Sequence, residues 1–509
     1  MLTFFKKLLR VLLSRAFIVS LLLFVQLFLL VFLIISIGFQ QGLSYYVIFS
    51  IVGILVAFTI INRDFNPAYK ISWIIAILTV PFVGVIFYLM FGRIKMSKKT
   101  RARIDKLEAD NCKFNQENPG ISNFDDAEHQ KIYNYLTNTT AMPAWENTET
   151  TILSPGEKFL PSLLEELKKA KKFIFLEFFI IAKGKMWSAI HEILKQKISE
   201  GVEVRIIYDD FGCLKYLPRG FKKQLIAEGI KVATFNPLIP VLSISINYRD
   251  HRKIAIVDGK VGWTGGMNIG DEYVNKKEVF GYWKDAMIKI EGEAVLSLTS
   301  LFINMWELCT KEKLNYQDYK SNHKVPSQGI VQVFGDTPFD GHLVTETVYM
   351  KLIAYAKRYV YITTPYLIID NEVSTALKTA ALSGVDVRIV VPHIPDKRLV
   401  FWITQSYYME LISAGVKIYE YTPGFIHAKT IITDDSLSVI GSANLDFRSL
   451  YLHFESSCLL YNTKSLVDIK ADIDTEIAES ELITLEKCKE IKLLKRIFVG
   501  ILRIFAPML

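Results

Sequence analysis

The 509-residue sequence contains no CxxC pair, and its five cysteines, Cys112, Cys213, Cys309, Cys458 and Cys488, stand far apart. That spacing speaks against a disulfide framework and against a zinc site, and it fits a reducing compartment. No carboxylate cluster suited to Mg²⁺ or Zn²⁺ is evident, so neither a metal nor a cofactor is expected. Compositional bias is missing too. With 51% apolar and 22% charged residues the chain is ordinary for a globular protein, which excludes wholesale disorder. Basic residues exceed acidic ones only modestly, 60 against 52, for a net charge of +8. This balance suits an anionic membrane surface, although a nucleic-acid partner would ask for the same sign. The mean hydropathy of +0.25 is high for a soluble enzyme and points to a membrane part joined to a globular part. At roughly 100–200 residues per domain there is room for two to four domains.

The excess hydrophobicity lies in residues 1–106. The run 17–38 is apolar except for serines and one glutamine, 43–61 is a second such run, and 71–91 is a third, interrupted by Pro81 and Gly84. Each is close to the ~20 residues that a bilayer core demands. Basic residues flank all three: Lys6, Lys7, Arg10 and Arg15 before the first, Arg63 and Lys70 before the third, and Arg93 to Arg103 after it. Basic flanks stay cytoplasmic, and three full crossings would force one outside. A hairpin of the first two segments, with the third entering and returning at Pro81–Gly84, satisfies every flank. A plain third span is the alternative. Residues 107–150 read as a polar connector with one helix. The terminus 481–509 mixes Lys492, Lys495, Arg496 and Arg503 with large apolar residues. It suits a basic amphipathic helix lying in the membrane interface, or a terminal helix packed on the globular part.

An internal repeat organises the remainder. AKKFIFL at 170–176 and GVEVRII at 201–207 return as AKRYVYI at 356–362 and GVDVRIV at 384–390. Each unit reads strand, amphipathic helix, strand, which predicts an α/β fold with helices on the faces of a sheet. The halves are 151–319 and 330–480, joined by a linker at 320–329. Each half carries one HxKx₄D motif: His251, Lys253 and Asp258 in the first, His427, Lys429 and Asp434 in the second. Seven residues after each aspartate comes a small pair and then an asparagine: Gly265, Gly266 and Asn268, and Gly441, Ser442 and Asn444. Alternation puts the His and Lys of one motif on the same face of a strand. The small residues allow backbone to approach an anion, and Lys, Asn and a hydroxyl or backbone N–H suit a phosphate oxygen. A third HxK, at His129, lacks the closing aspartate and reads as a chance match.

The duplicated motif, with its downstream Gly/Ser and Asn, resembles the phospholipase D superfamily. Further segments, at 66–92, 202–212, 247–274, 364–370 and 425–450, are similar to the bacterial cardiolipin synthases within it. The resemblance implies two pseudo-symmetric phospholipase D-like α/β sandwich halves sharing one active site, preceded by a helical transmembrane region. It implies transfer of a phosphatidyl group between two phosphatidylglycerol molecules, with cardiolipin as product. It also implies a bacterial cell membrane location, multi-pass, with cytoplasmic catalytic halves and no nucleic-acid partner. Water, serine or phosphatidylethanolamine as a different acceptor or donor, a nuclease-type activity and a non-enzymatic scaffold are the competing readings. One imidazole would attack phosphorus and the other protonate the leaving alcohol; relatives place the adduct on the first motif, hence on His251. Lys253, Lys429, Asn268 and Asn444 would stabilise the phosphoryl oxygens, and Asp258 and Asp434 would support the motif structurally. Relatives also carry an orienting acid on the strand after the Asn loop. Glu455 fits that place and is the candidate partner of His427. Asp285 is the counterpart in the first half, with Glu278 a poorer choice.

Overall fold

The β-branched and aromatic runs of each repeat form the middle of a mixed sheet. The computed structural model describes residues 15–92, 98–238, 247–339, 341–490 and 492–508. In the first half the strand order is Thr148–Leu153, Met287–Gly292, Val261–Gly265, Lys253–Val257, Phe173–Phe178, Glu203–Asp209 and Lys231–Phe235. The central strand Phe173–Phe178 is buried along its whole length. It pairs in parallel with Glu203–Asp209 and antiparallel with the motif strand Lys253–Val257. The second half repeats the order: Ile330–Asp336, His453–Tyr461, Leu437–Gly441, Thr430–Thr433, Tyr359–Thr363, Asp386–Pro392 and Lys417–Tyr421, with Ser480–Ile483 added at the edge.

The halves are not separate globules. The helix Val295–Thr310 is buried almost all round, with Ser297, Thr299, Ser300 and Glu307 buried among its apolar residues. One core joins it to residues of both sheets, and Phe302 stacks on Phe175 with ring centroids 4.3 Å apart. Two short parallel pairings also cross between halves. Arg249–Asp250 lies beside His453–Phe454, and Gly424–Ile426 lies beside Tyr282–Lys284. The connector is more ordered than its sequence suggests: two helices form, Lys98–Gln116 and Ala127–Thr140, and the second buries His129, Ile132, Tyr133 and Leu136.

At the amino terminus the expected hairpin of the first two apolar runs is not seen. The backbone is one 47-residue helix, Arg15–Ile61, about 70 Å long at 1.5 Å per residue. The stretch between the runs, 39–42, has one glycine, Gly42, which weakens a helix, but no proline to end it. Many side chains of the runs 17–38 and 43–61 lie outside the described residues, and among the described residues no helix is long and apolar enough to cross a membrane. The third run is broken. Helix Pro67–Thr79 ends at Val80, Pro81–Phe87 starts anew, and a π-helical turn closes it at Tyr88–Gly92. The chain doubles back, because the Tyr69 hydroxyl meets the Gly92 carbonyl at 3.4 Å.

Asn66, which caps the first of these helices, donates to Tyr451 (2.7 Å) and Asp370 (3.2 Å) and so ties the base of the hairpin to the second half. The Ser72 hydroxyl donates to the Ile504 carbonyl, joining the hairpin to the carboxy-terminal helix Leu493–Ile504. That helix packs on the globular part through its cations: Arg503 donates to Glu410 and to the Ser406 carbonyl, and Lys495 lies over Trp402. Its apolar face, with Leu493, Leu494, Ile497, Phe498 and Ile501, is exposed.

Hairpin closure depends on Gly84, where a Cβ would lie 2.6 Å from the Ala76 carbonyl oxygen and from the Ile77 Cα. Overpacking of this kind costs about 1–3 kcal/mol. Gly84→Val should therefore lower the thermal unfolding midpoint of the purified protein in detergent. Gly500→Val, in open space on the carboxy-terminal helix, should leave it in place. Equal midpoints in the two variants would contradict the packing.

Candidate active site

Each crossing strand places the imidazole of one half against the carboxylate of the other. The His251 N–H donates to the Phe454 carbonyl (2.9 Å), and the His427 N–H donates to the Lys284 carbonyl (2.7 Å). These bonds set each imidazole beside the acid one residue further along the opposing strand. His251 Nδ1 lies 2.9 and 3.1 Å from the two oxygens of Glu455. His427 Nδ1 lies 2.7 Å from Asp285 Oδ2. Glu455 is thus the partner of His251, not of His427 as its position in the second half suggested. The exchange follows from the strands that carry the acids, which pair across the halves at this point. Glu278 is exposed. An Nδ1–H held by a carboxylate leaves Nε2 with its lone pair.

The loops after the motif strands pack around these pairs. The Ser442 hydroxyl donates to Glu455 at 2.5 Å. At the matching position stands Gly266, where a Cβ would lie 2.1 Å from Asp285 Oδ1; only glycine lets this shorter acid approach. Gly265 has φ 153° and lies against the Ala286 carbonyl. Lys253 and Lys429 are buried, and each ammonium donates to the carbonyl of its own motif histidine. Asn268 accepts from the Ile180 N–H and donates to the Tyr273 hydroxyl, while Asn444 donates to Asp446 and, among the described residues, keeps its buried Oδ1 without a hydrogen-bond partner.

The two motif aspartates stand at the far ends of their strands. Asp258 accepts the N–H groups of Lys171, Lys172 and Phe173, and Asp434 those of Lys357, Arg358 and Tyr359. Each fastens a motif to the central strand of its own sheet. His129 packs instead against Tyr355 and Tyr461, away from both motifs.

Two further side chains flank the pairs. His453 lies with its ring 5.3 Å from that of His251, and Trp283 with its ring 5.4 Å from that of His427. Neither belongs to a motif. The signal that finds them is period-two alternation, because each sits two residues before its acid and on the same face. Among the described residues, His251, His453 and Glu455 form one group whose ligating atoms lie within 4.8 Å of one another. Both oxygens of Glu455 are already engaged by His251 and Ser442.

Burial governs the electrostatics. It drives His251 down to about 3 against the opposing pull of Glu455, and His427 down to about 4. Both imidazoles are therefore neutral near pH 7. Burial also lowers Lys253 to about 7 and Lys429 to about 8, although Glu455 and Asp285 oppose it; Lys429 is a further cause for Lys253. Burial alone would raise Glu455, but its interaction with His251, and after it with His453 and Lys253, holds it well below the usual carboxylate range. Near pH 7 the site therefore holds two anionic acids, two neutral imidazoles and two partly charged lysines.

Two family models match this chain. The one described as "Cardiolipin synthase, PLD-like domain" matches residues 163–306 and 349–477, and "Phospholipase_D-nuclease N-terminal" matches residues 49–93. A Geobacillus kaustophilus protein described as cardiolipin synthase is 36% identical over 93% of this chain and 96% of its own length. An uncharacterized Streptococcus mutans protein is 40% identical over 88% of this chain and 98% of its own. The crystal structure of phosphatidylserine synthase from Haemophilus influenzae aligns with a TM-score of 0.57 at 16% identity, covering 74% of this chain and 98% of that one. A likeness at that identity shows the fold.

The lowered lysines give the site a pH dependence with a definite sign. Both are charged below about 7 to 8 and lose charge above it. Sulfate keeps its charge over this range, so its affinity, measured by calorimetry, should fall severalfold between pH 6 and pH 9. Arginine stays charged throughout, so the Lys253→Arg, Lys429→Arg double variant should bind sulfate with little change. A wild-type affinity that does not fall with pH would contradict the assignment.

Proposed function

The chain belongs to the cardiolipin synthase family of phospholipase D-like proteins, and from this premise we propose that it makes cardiolipin from two molecules of phosphatidylglycerol. The observation that carries the reading is the crossed arrangement of two imidazole–carboxylate pairs over two buried lysines. A phosphodiester exchanges its alcohol in two displacements, and each needs one group to bond phosphorus and another to handle a proton.

In the first step His251 Nε2 attacks phosphorus. The P–O bond to the head-group glycerol breaks, and His427 supplies the proton to the departing oxygen. Binding of the anionic lipid raises His427 toward the protonated form that this step uses. In the second step neutral His427 takes the proton from the hydroxyl of another phosphatidylglycerol. That oxygen attacks phosphorus, the P–N bond breaks, and cardiolipin leaves with His251 restored. Lys253 and Lys429 balance the charge on the phosphoryl oxygens through both steps. The family's use of the first motif supports His251 as the residue that carries the adduct.

The lipid reaches this site from a membrane. The exposed apolar face of Leu493–Ile504, the broken hairpin at 67–92 and the exposed apolar side chains of Arg15–Ile61 support a chain anchored in the bilayer, with its site at the anionic cytoplasmic surface. Leu494 is 83% exposed, far more than an aliphatic side chain on a helix that is otherwise docked requires. Between hairpin and second half lies a cavity of about 320 Å³ lined by Tyr69, Trp73, Phe91, Tyr248, Phe447 and Tyr451, with a character that suits acyl chains.

Purified protein in vesicles of labelled phosphatidylglycerol should yield cardiolipin and glycerol in equal amounts. His251→Ala and His427→Ala should each abolish the product while leaving the protein folded, and a rate within about tenfold of wild type in either would contradict a shared phosphate. Phosphatidic acid as the main product would make water the acceptor. The membrane reading has its own test. Leu494→Asp with Ile497→Asp should cut the rate on vesicles at least tenfold and leave the rate on detergent-dispersed lipid within about twofold. Equal effects on both would remove the interfacial role of this helix.

A further inference from the structure

The repeat symmetry that pairs His251 with Glu455 and His427 with Asp285 fails at one neighbouring position. Two residues before Asp285 stands Trp283, and two residues before Glu455 stands His453. The indole is a filler with one polar bond. Its Nε1 points at Asp285 Oδ2 from 3.5 Å, and its ring packs against Tyr273, Phe425 and His427. An apolar ring at this position is therefore compatible with an intact imidazole–carboxylate pair. The second half carries an imidazole there, and neither of its nitrogens has a hydrogen-bond partner among the described residues. Nδ1 lies 3.6 Å from Glu455 Oε1, beyond hydrogen-bond range. His453 is 8% exposed, against 7% for His251 and 8% for His427, and its two nitrogens are themselves buried.

Buried nitrogens left unpaired destabilise a protein, and natural structures keep few of them. A position that tolerates indole, yet holds two unpaired nitrogens beside the reacting imidazole, is arranged for a partner that arrives with the substrate. We propose, on the reading of the site given above, that His453 is a third substrate-binding imidazole that takes a head-group oxygen of the bound lipid beside His251. A neutral imidazole offers one donor and one acceptor. The two nitrogens point apart, so one oxygen reaches one of them; a glycerol hydroxyl can serve either nitrogen, as donor or acceptor, whereas a phosphoryl oxygen can serve only the N–H. Two lysines already face the phosphoryl oxygens, so the hydroxyl is the better match.

The test uses the full-length protein in detergent with EDTA present. Donors are short-chain phosphatidylglycerol and phosphatidylmethanol, with free glycerol as the common acceptor, which the first step run backwards provides. His453→Phe keeps a ring and removes both nitrogens; His453→Gln restores a donor and an acceptor. The Phe variant should raise KM for phosphatidylglycerol at least tenfold with a smaller change in kcat, and the Gln variant should recover most of it. An effect confined to phosphatidylglycerol assigns the contact to the hydroxyl, and an equal effect on both donors assigns it to a phosphoryl oxygen. Wild-type constants in the Phe variant, a loss in kcat alone, or equal losses in Phe and Gln overturn the proposal. Failure of the wild type to turn over either lipid would instead sink the reading of the function. Should the Phe variant not fold, the His453 imidazole ¹⁵N resonance in His427→Ala protein decides: it should shift on adding the short-chain lipid, and a stationary resonance overturns the proposal.

Discussion

Two buried imidazoles, each held by a carboxylate from the opposite half, fix the rest of this molecule. A buried anion is tolerated only when paired, and removing one partner of such a pair costs about 3–5 kcal/mol. Glu455 and Asp285 are both fully buried, and their partners reach them from the other half, at 2.9 Å and 2.7 Å. Neither half can complete its own pair. The crossing strands at Arg249–Asp250 and Gly424–Ile426 and the core shared around Val295–Thr310 serve that requirement. Under the proposed mechanism the duplication serves the chemistry, because one phosphate would take an imidazole on each side.

The repeat symmetry is kept in the motifs and broken beside the acids. Both lysines, both motif aspartates and both asparagines keep their places. The residue after the motif glycine is Ser442 in one half, donating to the longer acid, and Gly266 in the other, making room for the shorter one. The position before each acid holds an indole in one half and an imidazole in the other. His251 and His427 thus sit in different surroundings.

Much of this was legible from residues alone. Period-two alternation and the repeated AKKFIFL and GVEVRII units located the central strands, and the HxKx₄D spacing located the imidazoles and lysines. The acids were visible as the carboxylates that follow each asparagine loop. Which acid meets which imidazole was not visible, because it depends on strands that pair across the halves over only two or three residues. His453 had no motif to mark it. At the amino terminus, the basic flanks suggested a hairpin of the first two apolar runs, but without proline between them the helix continues. The proline in the third run did break it, since there the ring removes a backbone donor. Of the two alternatives for the carboxy-terminal helix, the packed one is seen: its cations dock on the globular part, and its apolar face is exposed.

The crossed pairing is most directly tested by NMR of the imidazole Nδ1–H protons in histidine-labelled protein. Hydrogen bonding to a buried carboxylate should place one resonance for His251 and one for His427 far downfield, each assigned by its loss in the corresponding alanine variant. Glu455→Gln should displace the His251 resonance and leave that of His427 nearly unmoved, and Asp285→Asn should do the reverse. Displacement of the His427 resonance by Glu455→Gln would contradict the account.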